Sequence, residues 1–292
     1  MLKRDNKNED YFPSVGLKLT GACRLSCPFC CEPDRAQSVY QNANFFKIAD
    51  ILRANGTKRL CFTGGDPLLY PGVTDLLKYS KEAGFYNLLL TSDGNLLKEK
   101  YDEILPFIDA VRFSIHAIGS SHDEMVGQFN AFDAIEQMVS IMASARKPCF
   151  VATVVSNANI EHLGEIAEWC FKKGVRQYYL FGLMKSGRGK SFIDQIGEAP
   201  HADISEIVYG LRQKFSSSDM KIIYYDYRKK AECILVYGDG RVVIDPYPDH
   251  PSYQIAIGNL LNETVPEIVQ KFMRDPENSE GYFSHWEKTQ FE

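Results

Sequence analysis

The sequence lacks the long apolar runs that mark a membrane span or a secretory signal. No run of about 18 apolar residues occurs in the 292 residues. Residues 1–14 form a polar, charged leader where a signal peptide would need an apolar stretch. We therefore expect a soluble, cytoplasmic protein with no membrane partner.

The chain also has little net charge and too few cysteines for a disulfide scaffold. Lys and Arg (33) against Asp and Glu (38) leave a formal net charge of −5, which gives no electrostatic basis for binding DNA. Eight cysteines in a chain of this length are more often metal ligands or reactive groups when they cluster in a reducing compartment. The 45% hydrophobic content allows one main domain with a small appendage.

Short apolar segments alternate with amphipathic ones along most of the chain. Strands separated by helices pair in parallel through right-handed crossovers. The predicted strands are 16–20, 59–63, 86–91, 110–115, 149–155 and 177–184, and the predicted helices are 45–54, 73–83, 97–107, 132–145 and 160–173. This order predicts an α/β fold, an open partial (β/α)6 barrel, over residues 15–186.

The alternation lapses after the sixth strand. Residues 187–200 are rich in Gly, Ser and Lys and are expected to form a loop, followed by a helix at 204–215 and a strand at 221–227. The turn at Asp239-Gly240 predicts a hairpin with strands at 233–236 and 241–245. Residues 187–292 are thus expected to form a small C-terminal α+β extension that caps the active site.

Three cysteines follow the first predicted strand with C-x3-C-x2-C spacing. Cys23, Cys27 and Cys30 can hold three irons of a cubane and leave the fourth iron without a protein ligand, whereas structural zinc normally takes four ligands. A zinc site with Cys31 as fourth ligand is the alternative, although adjacent Cys30 and Cys31 would bind one ion awkwardly. A non-catalytic iron–sulfur or zinc-binding protein therefore stays open at this point.

The cysteine spacing, with the aromatic Phe29 before the last cysteine, resembles the signature of the radical S-adenosylmethionine (SAM) superfamily. The resemblance implies one [4Fe–4S] cluster on Cys23, Cys27 and Cys30, with SAM as the second cofactor. In this family one electron from the cluster cleaves SAM to a 5′-deoxyadenosyl radical, which abstracts hydrogen from unactivated carbon.

Later strand ends carry further motifs that resemble this family. Thr63-Gly64-Gly65-Asp66-Pro67 is similar to its GGEP motif, with Asp in place of Glu, and glycines let a backbone approach a ligand closely. Thr91-Ser92-Asp93-Gly94 is comparable to its TNG-type strand end. The cofactor-binding residues implied by the resemblance are Phe29, Gly64, Gly65, Asp66, Thr91, Ser92, Ser114, Val155 and Leu183.

Candidate substrate residues lie at the predicted barrel mouth and beyond it. The segment MKSGRGK combines cations with glycines that expose backbone N–H groups, which favours an anionic group. The candidates are His116, Lys185, Arg188, Tyr225, Asp226, Arg228 and Cys233. The C-terminal region resembles the SPASM or twitch-like extension of many relatives, but it retains only Cys233, so a second cluster is not expected.

These features predict a radical SAM enzyme, an oxidoreductase or lyase, acting on a small polar metabolite such as a sugar, nucleoside or nucleotide in a biosynthetic pathway. A flavodoxin- or ferredoxin-like protein is the expected electron donor. The alternative enzyme is a maturase that epimerises or crosslinks a ribosomally made peptide. The C-terminal extension favours this alternative, whereas the lack of an obvious peptide-recognition domain in the sequence disfavours it.

Overall fold

The computed structural model describes residues 12–32, 44–91, 93–225, 234–244 and 255–274. Ten strands occur in these ranges: β1 Ser14–Lys18, β2 Arg59–Thr63, β3 Tyr86–Thr91, β4 Ala110–Ser114, β5 Cys149–Val155, β6 Gln177–Gly182, β7 Lys221–Tyr225, β8 Ile234–Tyr237, β9 Arg241–Ile244 and β10 Ile255–Asn259. They form one open sheet in the order β10-β9-β8-β1-β2-β3-β4-β5-β6-β7.

Helices connect the parallel strands β1 to β7. The helices within the described ranges are α1 Phe45–Ala54, α2 Val73–Glu82, α3 Gly94–Ile104, α4 Ser120–Val126, α5 Ala131–Ser144, α6 Leu163–Lys172, α7 Gly187–Ser191, α8 Ile193–Ile196, α9 His201–Lys214 and α10 Val265–Met273. Within the described parts of the chain, every helix is too short or too polar to cross a bilayer.

One face of the sheet packs against the helices and the other lines a half-buried interior. In β2, Leu60 and Phe62 are fully buried in the main core, while Arg59, Cys61 and Thr63 are half-buried. The same alternation recurs in β4 and β6, as expected for side chains that point to opposite faces. The half-buried side chains of β2, β4 and β6 therefore share one face.

This inner face is concave. Arg112 of β4 lies against Tyr179 and Phe181 of β6, two strands away, and such contacts require the sheet to curve toward its inner face. Because β7 and β10 are the two edges of the sheet, the barrel is open. The α/β fold class predicted from the sequence is confirmed.

The structure departs from the predicted elements after residue 182. The predicted loop 187–200 contains the short helices α7 and α8. β7 adds a seventh parallel strand beside β6, and β8 to β10 extend the sheet beyond β1. The second half of the chain therefore widens both edges of the same sheet, and the predicted boundary near residue 187 stays a prediction.

Candidate functional site

The cysteine loop leaves the carboxyl end of β1 and carries three half-buried, unbridged thiols. Cys23 and Cys27 pack beside Leu25 and Val126, and Cys30 follows one turn later. Among the described residues, no three His, Cys, Asp or Glu side chains converge tightly enough to hold one metal ion. Cubane ligands bind different irons, whereas zinc ligands all lie about 2.0–2.3 Å from one ion. Three thiolates on one loop can bind three irons of a cubane and leave the fourth iron without a protein ligand, so the donor set fits a [4Fe–4S] cluster.

The turn after β2 packs directly on the backbone of this loop. The Gly65 N–H donates to the Thr20 carbonyl at 2.6 Å, and the Asp66 N–H donates to the Ala22 carbonyl at 2.7 Å. A Cβ on Gly64 would collide with the Thr20 carbonyl oxygen, and one on Gly65 with that of Ala22. The sequence interpretation gave both glycines a close approach to a ligand, but their missing Cβ atoms face the cysteine loop.

The Asp66 side chain holds its own turn together. Its Oδ1 accepts from the Leu68 N–H at 2.9 Å, and its Oδ2 accepts from the Thr91 hydroxyl at 2.5 Å. Burial raises the pKa of Asp66 to about 6. The sequence interpretation gave Thr91 a hydroxyl contact with SAM, but in the structure that hydroxyl binds Asp66 because the two side chains are buried side by side at the ends of β2 and β3.

An arginine next to the first cysteine ties the loop to the end of β3. The Arg24 Nε donates to Asp93 Oδ2 at 2.8 Å, and its Nη1 lies 3.1 Å from Glu99 Oε1. Asp93 is buried and also caps α3 by accepting from the Leu96 N–H at 2.9 Å. Sequence reasoning missed Arg24, since nothing local to it indicates a partner 69 residues away.

A buried ion pair anchors the other end of the loop. Lys18, the last residue of β1, pairs with Glu32, and both side chains are only 6% exposed. Burial acts to lower the pKa of Lys18, but the facing Glu32 carboxylate and Cys31 outweigh it and the pKa is raised. Sequence reasoning missed this pair too, although a charged residue inside the apolar strand β1 was a usable signal.

The predicted anion-binding segment after β6 packs on the cysteine loop instead of forming an open loop. The Gly189 N–H donates to the Cys30 carbonyl at 3.1 Å, so it is not available to an anion. Gly187 has φ +52° and touches the backbone at Cys30 and Glu32 so closely that a Cβ would collide. Close packing on the cysteine loop therefore explains Gly187, whereas a Cβ on Gly189 would collide with the Met184 carbonyl oxygen.

The two candidate cations of this segment differ in their surroundings. Lys185 forms an exposed ion pair with Glu198 at 2.7 Å, which is a surface contact of small energetic value. Arg188 is half-buried and forms no ion pair with any residue that the structure describes. Arg188 is thus the better placed of the two to meet a negative charge near the loop.

Phe29 joins the cysteine loop to the ends of β4 and β6. Its ring packs with Leu183 and Ile196, and its centroid lies 3.9 Å from that of His116. His116 is 2% exposed, and burial followed by the neighbouring His122 lowers its pKa well below 6.5. The sequence interpretation placed His116 in the pocket lining; the structure places it behind Phe29 as a neutral, buried ring.

The remaining candidates lie in three different surroundings. Ser114 and Tyr225 are half-buried on the inner face, at the ends of β4 and β7. Val155 is fully buried in the main core, so only its backbone can face a ligand. Ser92, Asp226, Arg228 and Cys233 lie outside the described residues.

The open α/β barrel with three thiols at the end of its first strand defines a class of iron–sulfur, SAM-dependent proteins. The family model described as "Radical SAM superfamily" matches residues 17–170. The chain belongs to the radical SAM superfamily, and the [4Fe–4S] cluster and SAM expected from the sequence are the cofactors of this family.

Individual relatives share the fold at low sequence identity. The AdoMet-dependent heme synthase of Methanosarcina barkeri is 26% identical over 216 residues, which cover 71% of this chain and 60% of that protein. The SAM-bound structure of Streptococcus suis SuiB superposes with a TM-score of 0.70 at 14% identity, covering 88% of this chain and 65% of SuiB. The AdoMet-bound structure of anSMEcpe gives 0.65 at 13% identity, covering 92% and 82%.

Proposed function

We propose that this chain is a radical SAM enzyme that acts on a small polar metabolite. The observation that carries the proposal is the cysteine loop, whose three half-buried thiols are clamped between the ends of β1, β2, β3 and β6. When bound, the cluster would supply one electron to SAM, and the resulting 5′-deoxyadenosyl radical would take a hydrogen atom from the substrate.

Some residues of the chain would bind the cluster, and others fix the loop that carries these ligands. Cys23, Cys27 and Cys30 would bind the cluster through their thiolates. Arg24 and Lys18 fix the two ends of their loop through buried acidic partners. A loop with both ends fixed keeps its thiols in one arrangement, which is what a preformed site requires.

The SAM site would lie above the inner face, among the ends of β2, β4 and β6. The Gly64–Gly65 backbone and Ser114 would line this site, with Phe29 and Leu183, which pack together, at its side. Arg188 is the cation that would meet the SAM carboxylate or an anionic substrate. The electron donor would be a flavodoxin- or ferredoxin-like protein that approaches the half-buried thiols.

A small-molecule substrate is favoured over a peptide for two reasons. The one curated relative described above has a name that denotes a small-molecule product, heme. The similarity to SuiB, which has been solved with its precursor peptide SuiA, is a similarity of fold at about 15% identity. Peptide maturation therefore stays the second candidate.

Anaerobic reconstitution with iron and sulfide tests the proposal. The wild type should bind about four irons, as one cubane, and reduced protein should convert SAM to 5′-deoxyadenosine. Cys27→Ala should abolish both signals because it removes one of three ligands. Cys31→Ala is the matched control, since Cys31 adjoins the loop but is not expected to bind the cluster.

Two outcomes would count against the proposal, and a third would change the ligand assignment. If the purified protein holds zinc in place of a cubane, or if the reduced protein leaves SAM intact, the chain is not a radical SAM enzyme. If Cys31→Ala loses the cluster while Cys30→Ala keeps it, the third ligand has been assigned to the wrong residue. Nucleosides and nucleotide sugars, compared with short peptides in a binding screen, separate the two substrate classes.

A further inference from the structure

The inner face of the sheet carries an arginine in the middle of an apolar strand. Arg112 is the one charged residue of β4, and it alternates with Val111 and Phe113, which are fully buried on the helix side. Its guanidinium carbon lies 5.3 Å from the ring centroid of Phe181 and 5.7 Å from that of Tyr179. Arg112 therefore projects over aromatic rings inside the barrel.

The rings of Tyr179, Phe181 and Tyr225 lie nearly parallel in a compact group of three on β6 and β7. Phe181 and Tyr225 are register partners whose centroids lie 5.1 Å apart at an interplanar angle of 5°. Tyr179 stacks with Tyr225 at 6.0 Å and 15°, and with Phe181 at 6.4 Å and 14°. Three nearly parallel rings on adjacent strands offer an aromatic surface against which a flat group can pack in an offset arrangement.

A second arginine faces the same interior. The Arg59 guanidinium lies 5.3 Å from the Tyr86 ring centroid, at the start of β2 and β3. Burial raises the pKa of Tyr179, and the positive charges of Arg112 and then Arg59 oppose this shift. Both guanidinium groups are therefore close enough to the Tyr179 hydroxyl for their fields to act on it.

The described residues supply no carboxylate to balance these two cations. Neither arginine forms an ion pair with any Asp or Glu that the structure describes. Asp109, the acid near Tyr86, is already bound by Lys81 and by the Asn87 N–H. Two like charges in a half-buried space are unfavourable unless an anion joins them. The charge of the interior therefore matches an anionic ligand.

Arg112 lies close to the carboxyl ends of the strands, the end of the barrel at which the cysteine loop leaves β1. The strand register pairs Arg112 with Leu90 and Phe150, one row below Ser114 and Ala152. At about 3.3 Å per residue, this row lies only about 7 Å beneath the strand ends. An anchored ligand would extend from Arg112 toward the end of the barrel that carries the thiols.

We infer that Arg112 binds an oxyanion, a carboxylate or a phosphate, on a flat ring of the substrate, and that this ring packs against the aromatic surface of Tyr179, Phe181 and Tyr225. The inference rests on the proposed function and gives its substrate class. The guanidinium offers paired N–H donors that match either oxyanion. Phe181 sets the preference for a planar ring over a puckered one.

Fluorine NMR of the reconstituted, full-length protein tests the inference, with SAM present at saturation so that its own carboxylate site is filled. The probes are 4-fluorobenzoate, 4-fluorophenyl phosphate and the neutral 4-fluorobenzamide. At least one anion should bind roughly 10- to 100-fold more tightly than the amide, as expected for a charge-assisted hydrogen bond to arginine. Which anion binds more tightly distinguishes a carboxylate from a phosphate substrate.

The variants assign the preference to this arginine. Arg112→Gln should remove the preference for the anion, and Arg112→Lys should keep part of it because the charge remains. Arg176→Gln is the matched control, since Arg176 forms a solvent-exposed ion pair with Asp219. Phe181→Leu should weaken the binding of 4-fluorobenzoate more than the binding of cyclohexanecarboxylate. The affinity of the second compound is measured by its competition with the first.

The inference is overturned if neither anion binds more tightly than the amide to the wild type, a result that needs no variant to fold. It is also overturned if folded Arg112→Gln keeps the wild-type preference. Formation of 5′-deoxyadenosine without any probe is measured on the same samples. If 5′-deoxyadenosine forms but the protein shows no preference for the anions, only the substrate class is refuted. If no 5′-deoxyadenosine forms, the proposed function is refuted.

Discussion

Replacing Asp66 with Asn should change how stability depends on pH. The carboxyl is 1% exposed, and burial raises its pKa from 3.8 to about 6. A shift of about two units corresponds to roughly 3 kcal/mol, at 1.36 kcal/mol per unit. Between pH 4 and pH 6 the folded chain therefore binds more protons at this site than the unfolded chain does.

The sign of the effect follows from this proton balance. Because the folded pKa is raised, Asp66 in its protonated form favours folding at low pH, and this contribution is lost as the pH rises through about 6. Asn cannot ionise, yet its carbonyl can accept from the Leu68 N–H and its amide can donate to Thr91 in place of the present contacts. The variant should therefore keep the turn after β2 folded, and its stability should not fall as the pH rises through about 6.

Urea unfolding of the cluster-free protein under anaerobic conditions, from pH 4 to pH 8, measures the difference. The free energy of unfolding of Asp66→Asn minus that of the wild type should increase by about 2–2.5 kcal/mol between pH 4 and pH 7, because part of the total change falls below pH 4. Asp75→Asn, an exposed substitution on α2, corrects for the loss of one negative charge. A difference that stays constant, or that decreases with pH, would refute the buried, raised-pKa description of Asp66.

Three further predictions concern the cysteine loop and the core. Gly65→Ala should destabilise the chain by about 1–3 kcal/mol and weaken SAM binding, since its Cβ would collide with the loop backbone; an unchanged melting temperature and SAM affinity would contradict this. Lys18→Met should lower the free energy of unfolding, measured in urea, by about 3–5 kcal/mol because it removes the buried cation facing Glu32. If the effects of Lys18→Met and Glu32→Gln are strictly additive in the double variant, the two side chains are not coupled and the prediction fails. Burial raises the pKa of Cys149 to about 12 and also raises that of Cys170, so both thiols should resist alkylation by iodoacetamide in the folded protein. Mass spectrometry measures the alkylation, and a rate as fast as that in urea would contradict this prediction.

The sequence predicted the barrel well because its signals are local. Apolar runs such as CFVATVV in β5 and the regular spacing of helices between strands imply parallel pairing without any knowledge of distant contacts. Predictions became less accurate after residue 182. There, glycines that indicated a loop serve close packing in α7, which depends on the cysteine loop more than 150 residues earlier.

The candidate site divides in the same way. Cys23, Cys27 and Cys30 were predicted as cluster ligands from their spacing, since one short loop carries all of them, and this assignment stays a prediction. Thr91 and His116 were given ligand contacts because they end barrel strands, but their actual neighbours, Asp66 and Phe29, come from other elements. A strand-end position predicts the edge of the sheet on which a residue lies, not the direction of its side chain or its partner.

The sequence by itself determined the three-thiol loop, the order of strands and helices, and the family to which they belong. These features are fixed by distances along the covalent chain. Only the tertiary structure decided that Arg112 meets the rings of β6 and β7, that Lys18 is neutralised by Glu32, and that the glycines of two distant turns pack on one loop. Such contacts arise from the curvature and register of the sheet, which bring together residues that no sequence spacing relates.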